Sequence, residues 1–430
     1  MIKGGCPVKD FETLDFFRGD EAVEDPYPYY EALRRRCPVQ REPHHGVLMI
    51  TGYDESVQIY NDVDAFSSCV SVTGPFPGFP VPLEGDDVSD LIEEHRDKLP
   101  FSDQIPTMDP PLHTAHRSLT MRLITPRRLK ENEELMWQLA DGLLEEFLDG
   151  AEGEVINGFA NPFTVLVIAD LLGMPEEDRK EFAEEIRAGR QAGGGIGGTE
   201  KEMAHSPLEF LYGRFTTYIE DRRREPRDDV LTGLAAAAFP DGSLPEVGDV
   251  VRVAANVFAA GQETTVRLLG SAFKLIGEDA ELQALLRAEP DRIPGFIEET
   301  LRSESPIKGD FRLAKKTTEV GGVQIPAGTT VMLLNAAANR DPRHFENPAV
   351  FDAARKNARH HIAFGRGPHT CPGAPLARAE ARVAIEGLLH RTTDIRISER
   401  AHGPADARRY SYLPTYILRG LTHLNLEFTL

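Results

Sequence analysis

The sequence predicts a mainly α-helical fold with a smaller β portion, and three observations carry that prediction. Apolar residues recur at helical spacing through most of the segment 112–276. The run that begins at Pro245 keeps that spacing as far as Gly277, which makes one helix of roughly 50 Å, long enough that it must cross the core. Beyond Phe311 the pattern changes to the turn chemistry of strands.

Taken in order, a charged helix is expected over Tyr29 to Arg36, an apolar strand over Gly46 to Thr51 and a helix near Asp54 to Asn61. From Ser67 to Pro106 periodicity is lost. The proline- and glycine-rich stretch "SVTGPFPGFPVPLEGDD" reads as an irregular segment with exposed Phe76, Phe79 and Leu83, either a solvent loop or a binding lid. In "ELMWQLADGLLEEFL" the residues Leu135, Leu139, Leu143 and Phe147 fall at spacing four, on one buried face. "AGGGIGG", Ala192 to Gly198, reads as a flexible connection between helices. "TEVGGVQIPAGTTVMLLN" reads as two strands joined by a Pro-x-Gly turn. A last helix is expected over Leu376 to His390.

Composition narrows the function classes. At 430 residues, 41% hydrophobic and 27% charged, the chain is of globular type. No linker divides it, so the expectation is a single domain over 1–430 with a short flexible N-terminal tail of about twenty residues. Met1 to Phe17 carries Lys3, Lys9, Asp10 and Glu12 and no signal-like apolar run, and no stretch is of transmembrane type, so the expected location is the cytoplasm. A formal net charge of −21 argues against a general affinity for nucleic acid or anionic lipid. Cys6, Cys37, Cys69 and Cys371 have no paired spacing, which argues against a disulfide framework.

Four stretches carry chemistry. "AAGQETT", Ala259 to Thr265, sets Gly261, Glu263, Thr264 and Thr265 in the middle of the long apolar helix. Glycine there costs about 1 kcal/mol against alanine and a buried carboxylate costs more. Either that face touches solvent, with Gly261 admitting a neighbour, or it borders a groove for a flat or small ligand. "IEETLR" pairs Glu299 with Arg302 one turn apart. "DPPLHTAHR" sets His113 and Arg117 on one face of a new helix, an arrangement suited to a carboxylate between them. In "AFGRGPHTCPGA", Ala363 to Ala374, one cysteine sits in a loop built from glycine and proline. A haem-ligating thiolate needs such a lone, shielded sulfur with converging backbone donors and the positive end of a following helix. A zinc site from His360, His361, His369 and Cys371 is the alternative, but it has no use for the phenylalanine and glycines.

In these motifs and their order the chain resembles the cytochrome P450 family of haem-thiolate monooxygenases, in its soluble bacterial type, over roughly residues 25 to 430. The matches are Ala260-Gly261-Gln262-Glu263-Thr264, Glu299 with Arg302, the hairpin from Arg312, and Phe364-Gly365-x-Gly-x-His369-x-Cys371-x-Gly373. The resemblance implies haem b between the long central helix and the cysteine loop. It implies Cys371 as the axial thiolate, in a loop shaped by Phe364 and Gly365. His113, Arg117, Arg312 and His369 would hold the propionates, and Glu299 and Arg302 would form a buried pair. Gly261 would leave room for dioxygen, and Glu263 with Thr264 would deliver protons. Where the family has an arginine completing the glutamate–arginine network, Val350 stands, and Arg355 is the candidate substitute.

The implied reaction inserts one oxygen atom from dioxygen into an apolar molecule, terpenoid, steroid or fatty-acid-like, in a monomeric enzyme supplied with electrons by a ferredoxin and its reductase. A peroxygenase or isomerase would dispense with Glu263 and Thr264. A non-catalytic haem carrier would dispense with the lid as well. Arg359, His360, His361, Arg378 and Arg382 are expected to ring the thiolate side as a basic docking patch for the ferredoxin.

Overall fold

The computed structural model describes residues 11, 13–19, 21–191 and 209–430. Its helices are α1 (Tyr27–Arg36), α2 (Tyr53–Asn61), α3 (Ser89–His95), α4 (Leu112–Leu123), α5 (Pro126–Phe147), α6 (Asn161–Leu171), α7 (Glu176–Gln191), α8 (Glu209–Arg224), α9 (Val230–Ala235), α10 (Val247–Glu278), α11 (Ala280–Ala288), α12 (Ile293–Ser303), α13 (Asn335–Ala338), α14 (Ala374–Arg391) and α15 (Glu399–His402). The strands are short: β1 (Val39–Arg41), β2 (Leu48–Ile50), β3 (Phe66–Ser67), β4 (Glu152–Glu154), β5 (Asp310–Ala314), β6 (Thr318–Val320), β7 (Val323–Ile325), β8 (Thr330–Leu333), β9 (Asp394–Ile397) and β10 (Asn425–Thr429). This is the mainly α fold with a smaller β portion that the periodicity predicts.

α10 runs for 32 residues, about 48 Å at the usual rise. Its start is fixed by a capping box in which Glu246 and Asp249 each accept from the other's backbone. It ends where the Asp279 carboxylate caps the next helix, accepting from the N–H groups of Glu281 and Leu282. Helices α4, α6, α8 and α14 pack around it. Each fully buried Val, Leu or Phe along this crossing contributes roughly 1.5–3 kcal/mol, and Val250, Val253, Leu269 and Phe273 are all fully buried.

Beside the helical body lies a five-stranded sheet in the order β1-β2-β8-β5-β3, with β2 and β8 parallel and the other pairs antiparallel. A three-stranded sheet, β4-β10-β9, closes the C-terminal end against the start of α6's segment, and β6 pairs with β7 alone. Among the described residues no helix is long and apolar enough to cross a membrane.

Several expectations need correction. Residues 67–106 are not wholly irregular: they hold α3 and two short 3-10 turns, Arg96–Lys98 and Ile105–Thr107. Phe76 and Phe79 are partly buried, with Phe76 edge-on to Phe17 at 6.1 Å. Leu14, Phe16 and Phe17 are buried in the same core, so the supposed flexible tail is anchored by residue 14. The stretch after Phe311 makes three further strands where two were expected, because Gly321 and Gly322 both take positive φ and turn the chain before the Pro326–Gly328 turn does. On α5 the fully buried residues are Met136, Ala140 and Leu144, one position away from the expected stripe. The reason is α14, which approaches so closely that a Cβ on Gly387 would lie 3.0 Å from Leu144 Cδ1. The Ala192 to Gly198 connection lies outside the described residues.

Candidate active site

The centre of α10 differs from its ends. Ala260 is exposed and Gly261, Glu263 and Thr264 are half-buried, although the turns on either side belong to the core. Open surface in the middle of a central helix marks an internal cleft. α4 and α14 both pack on α10, and between their N-terminal ends runs the loop that carries Cys371.

That loop is held from several sides. Gly365 and Gly367 take φ of +66° and +67°, conformations that other residues rarely adopt. A Cβ on Gly367 would stand 2.3 Å from the Tyr60 carbonyl of α2, so the loop rests directly on that helix's backbone. Cys371 N–H donates to the Phe364 carbonyl at 2.9 Å, and the Arg117 guanidinium donates to the Thr370 carbonyl. Burial pushes the Cys371 thiol up, while the backbone N–H groups of Gly373 and Ala374 and the charges of Arg117 and Arg378 pull it back. Phe364 carries the Arg378 guanidinium over its ring at 4.7 Å.

Four basic side chains converge beside the sulfur. The His113 and His369 rings lie 3.9 Å apart, and His369 Nε2 is 3.1 Å from Ser68 Oγ. Burial, joined by the charges of Arg312, His113 and Arg117, holds His369 down at about 2. Burial and Arg117 push His113 down to about 4. Arg312 is buried on β5 with its charge over the Tyr60 ring at 5.3 Å and only a 3.5 Å approach to Asp310. Both ring nitrogens of His113 are buried without a hydrogen-bond partner. Such a cluster is short of negative charge. The two carboxylates of a haem would meet that need and Cys371 would supply its thiolate ligand, so the residues present fit the group.

Other expected roles change. A Cβ on Gly261 would lie 2.7 Å from Ile168 Cδ1, so this glycine admits α6, the neighbour that the first of the two sequence readings allows. Glu263 is held by Arg267 at 3.0 Å, and buried Arg267 also donates to the Leu421 carbonyl at 3.1 Å. Thr264 Oγ1 donates back to the Ala260 carbonyl at 2.8 Å and remains accessible from the cleft. The zinc alternative fails: His361 is buried against Glu298 at 3.1 Å, and among the described residues no group of three His, Cys, Asp or Glu is placed to hold a metal. Lys308 is turned into protein, its amine donating to the Thr415 carbonyl and pushed down by burial to about 7. Tyr410 bonds Glu278 in the last turn of α10, eighteen residues or about 27 Å from Ala260.

Behind the site, Glu299 and Arg302 are both fully buried and bonded twice at 2.7 Å. Arg355 completes the network, with Nε donating to Glu299 Oε1 at 3.0 Å. Glu380 of α14 went unnoticed in the sequence. It is buried, its Oε2 has no hydrogen-bond partner among the described residues, and burial pushes it up to about 8, with Thr265 of α10 pulling it back only in part. The signal was present, since Leu376, Glu380 and Val383 share one buried stripe.

A cytochrome P450 family model matches residues 210–393. The chain is 32% identical over 422 residues to cytochrome P450 144 of Mycobacterium tuberculosis, covering 97% of this chain and 92% of that one. It is 31% identical over 425 residues to 6-deoxyerythronolide B hydroxylase of Saccharopolyspora erythraea, covering 96% and 98%. Its structure superposes on Mycobacterium marinum cytochrome P450 CYP150A6 in the substrate-free form with a TM-score of 0.92 and 52% identity, covering 97% and 99%. A lone thiol in a glycine-built loop, a cleft across the central helix and full-length similarity to bacterial relatives agree, and the chain belongs to the cytochrome P450 family of haem-dependent monooxygenases.

Proposed function

We propose that this enzyme inserts one atom of dioxygen into an apolar small molecule of terpenoid, steroid or fatty-acyl type, using two electrons from a ferredoxin served by its reductase. In balance, a C–H bond, dioxygen, two electrons and two protons give an alcohol and water. The observation that carries this reading is the cleft at Ala260 and Thr264, set against the half-buried Cys371 sulfur and a basic cluster in which both ring nitrogens of His113 are buried without a partner. Bound haem supplies the activation of oxygen.

The chain's own residues do the rest. Cys371 holds the iron, and the N–H groups of Gly373 and Ala374 spread the sulfur's charge. His113, Arg117, Arg312 and His369 hold the propionates. Ala259 and Ala260 offer a side of the cleft with no polar side chain, which suits an apolar guest. Thr264 carries the protons. Its hydroxyl must turn from the Ala260 carbonyl to serve the cleft, and Glu263 must leave Arg267 to supply it. Free thiols at Cys37, Cys69 and Cys371 suit a reducing compartment and support a cytoplasmic enzyme.

The test is Thr264→Ala. A residue that only caps its own helix turn would leave chemistry untouched. The proposed role instead predicts wild-type haem content and substrate binding, continued NAD(P)H oxidation, and most electrons lost to hydrogen peroxide. Product formed per NAD(P)H oxidised, with peroxide assayed in parallel, decides it. A ratio equal to wild type overturns the role.

A further inference from the structure

We propose that Gln104, Tyr212 and Asn256 form a recognition site for a single oxygen function, an alcohol before a ketone, on an otherwise apolar substrate. The inference rests on the apolar-guest reading above and adds to it where the guest is gripped.

Asn256, Ala260 and Thr264 are four residues apart, so their side chains stack along one face of α10. Ala260 and Thr264 border the cleft, and Asn256 is half-buried while Val253, Ala254, Ala255, Val257 and Phe258 around it are core. It lies about 6 Å along the axis from Ala260 and about 12 Å from Thr264. Two other elements send polar side chains to meet it. Gln104, buried in the turn before α4, accepts from Asn256 Nδ2 through Oε1 and donates through Nε2 to the Tyr212 hydroxyl of α8 at 2.5 Å. Its second amide proton goes to Asp103 at 2.9 Å, and Asn256 Nδ2 also donates to the Arg252 carbonyl at 2.8 Å.

Gln104 thereby spends both amide protons and holds its two partners in place, while each partner keeps an unused group. Among the described residues Asn256 Oδ1 accepts no hydrogen bond and the Tyr212 hydroxyl proton has no acceptor. One acceptor and one donor, fixed by a shared glutamine, are left free at one end of the cleft. An alcohol answers both: its proton goes to Asn256 Oδ1 and its oxygen accepts from Tyr212. A ketone answers only Tyr212, and a hydrocarbon answers neither. An anchor about 12 Å from Thr264 sets the oxidised carbon at the far end of a molecule the length of a fused-ring skeleton.

The experiment uses the haem-loaded full chain and three matched series: dodecanol, dodecanone and dodecane; borneol, camphor and bornane; a monohydroxyandrostane, its ketone and androstane. Kd is read from the haem absorption shift and, independently, from the rise in Tm on ligand binding. In at least one series wild type should bind the alcohol roughly tenfold tighter than the hydrocarbon, with the ketone between them. Tyr212→Phe should bring the ketone to the level of the hydrocarbon, and Asn256→Ala should bring the alcohol to the level of the ketone. Both variants should keep the hydrocarbon's Kd within about threefold. A merely structural tie between the three elements would weaken all members alike. Equal binding of the three members by wild type, a ranking unmoved in the variants, or a uniform loss of binding in folded, haem-loaded variants each overturns the recognition site alone. No response to any member of any series overturns the apolar-guest reading and the recognition site with it.

Discussion

Glu380 shows how far burial alone can set a charge. Its carboxyl has an ordinary value of 4.5 and is pushed up to about 8 on α14. Between those values the folded protein holds a proton that the unfolded chain has released, so this group lowers stability as pH rises from about 4.5 to about 8 and contributes nothing below. Glu298 acts in the opposite sense. Held at about 2 by His361 and Arg378 against the cost of burial, it contributes stability above about 4.5 that is lost as pH falls toward 2. Glu380→Gln keeps the size of the side chain and removes one slope while leaving the other. Its Tm should match wild type below pH 4.5 and exceed it increasingly up to pH 8. Parallel Tm curves for the two proteins across that range would show Glu380 to be ionised at no cost. At this scale the sequence was legible where a residue's neighbours are chemically extreme, as around Cys371. It misled where a side chain's direction mattered: nothing in "AAGQETT" says that the open side of Gly261 meets Ile168.

Among the elements, the join between α12 and the segment 346–355 is the most demanding. Arg302 is fully buried, satisfied by Glu299 and by the carbonyls of Asn339 and Pro348, both at 2.9 Å. Glu299 in turn accepts from the Asp352 N–H and Arg355 Nε, both at 3.0 Å. Glu299→Ala strands Arg302 in the interior, at a cost of roughly 3–5 kcal/mol. Arg355→Ala leaves the buried pair intact and loses one charged hydrogen bond to Glu299, about 1.5–3 kcal/mol, with three exposed ones to the carbonyls of Glu346, Asn347 and Val350 that water can replace. Chemical denaturation of the haem-loaded proteins should therefore rank Glu299→Ala below Arg355→Ala, and both below wild type. The reverse order would make Arg355 the keystone and the pair secondary. The elements themselves were readable from period and caps, α10 most clearly. α3 was hidden because seven residues inside a glycine- and proline-rich stretch give too few turns to show a period.

For the molecule as a whole the question is how electrons arrive on a surface of strong negative charge. The expected basic patch is smaller than its sequence suggests. His361 is buried, Arg378 is bonded to buried Glu298 at 2.6 and 3.0 Å, and Arg382 is paired with Glu133 at 2.5 Å and Glu386 at 3.5 Å. Arg359 and His360 remain exposed beside the cysteine loop. If the proposed ferredoxin docks there, the reduction rate should fall as salt rises past about 0.1 M, where screening reaches about 10 Å. Arg359→Glu should slow reduction several-fold with substrate Kd unchanged, as stopped-flow absorption would record. Reversing Arg378 is the poorer probe, since it breaks a buried pair first. Salt-independent reduction by the native donor would place docking elsewhere.

The grip of Arg267 on Glu263 has a practical side. Arg267 takes its second hold from the carbonyl of Leu421, and a Cβ on Gly420 would lie 2.0 Å from the arginine side chain. From there the chain runs straight into β10, its last strand. Glu263, a proton donor in the proposed function, is thus tied through Arg267 to the segment that leads into β10. A side chain at position 420 would push on that tie, so Gly420→Ala should loosen Glu263 without touching the cleft itself, and product formed per NAD(P)H oxidised would record it.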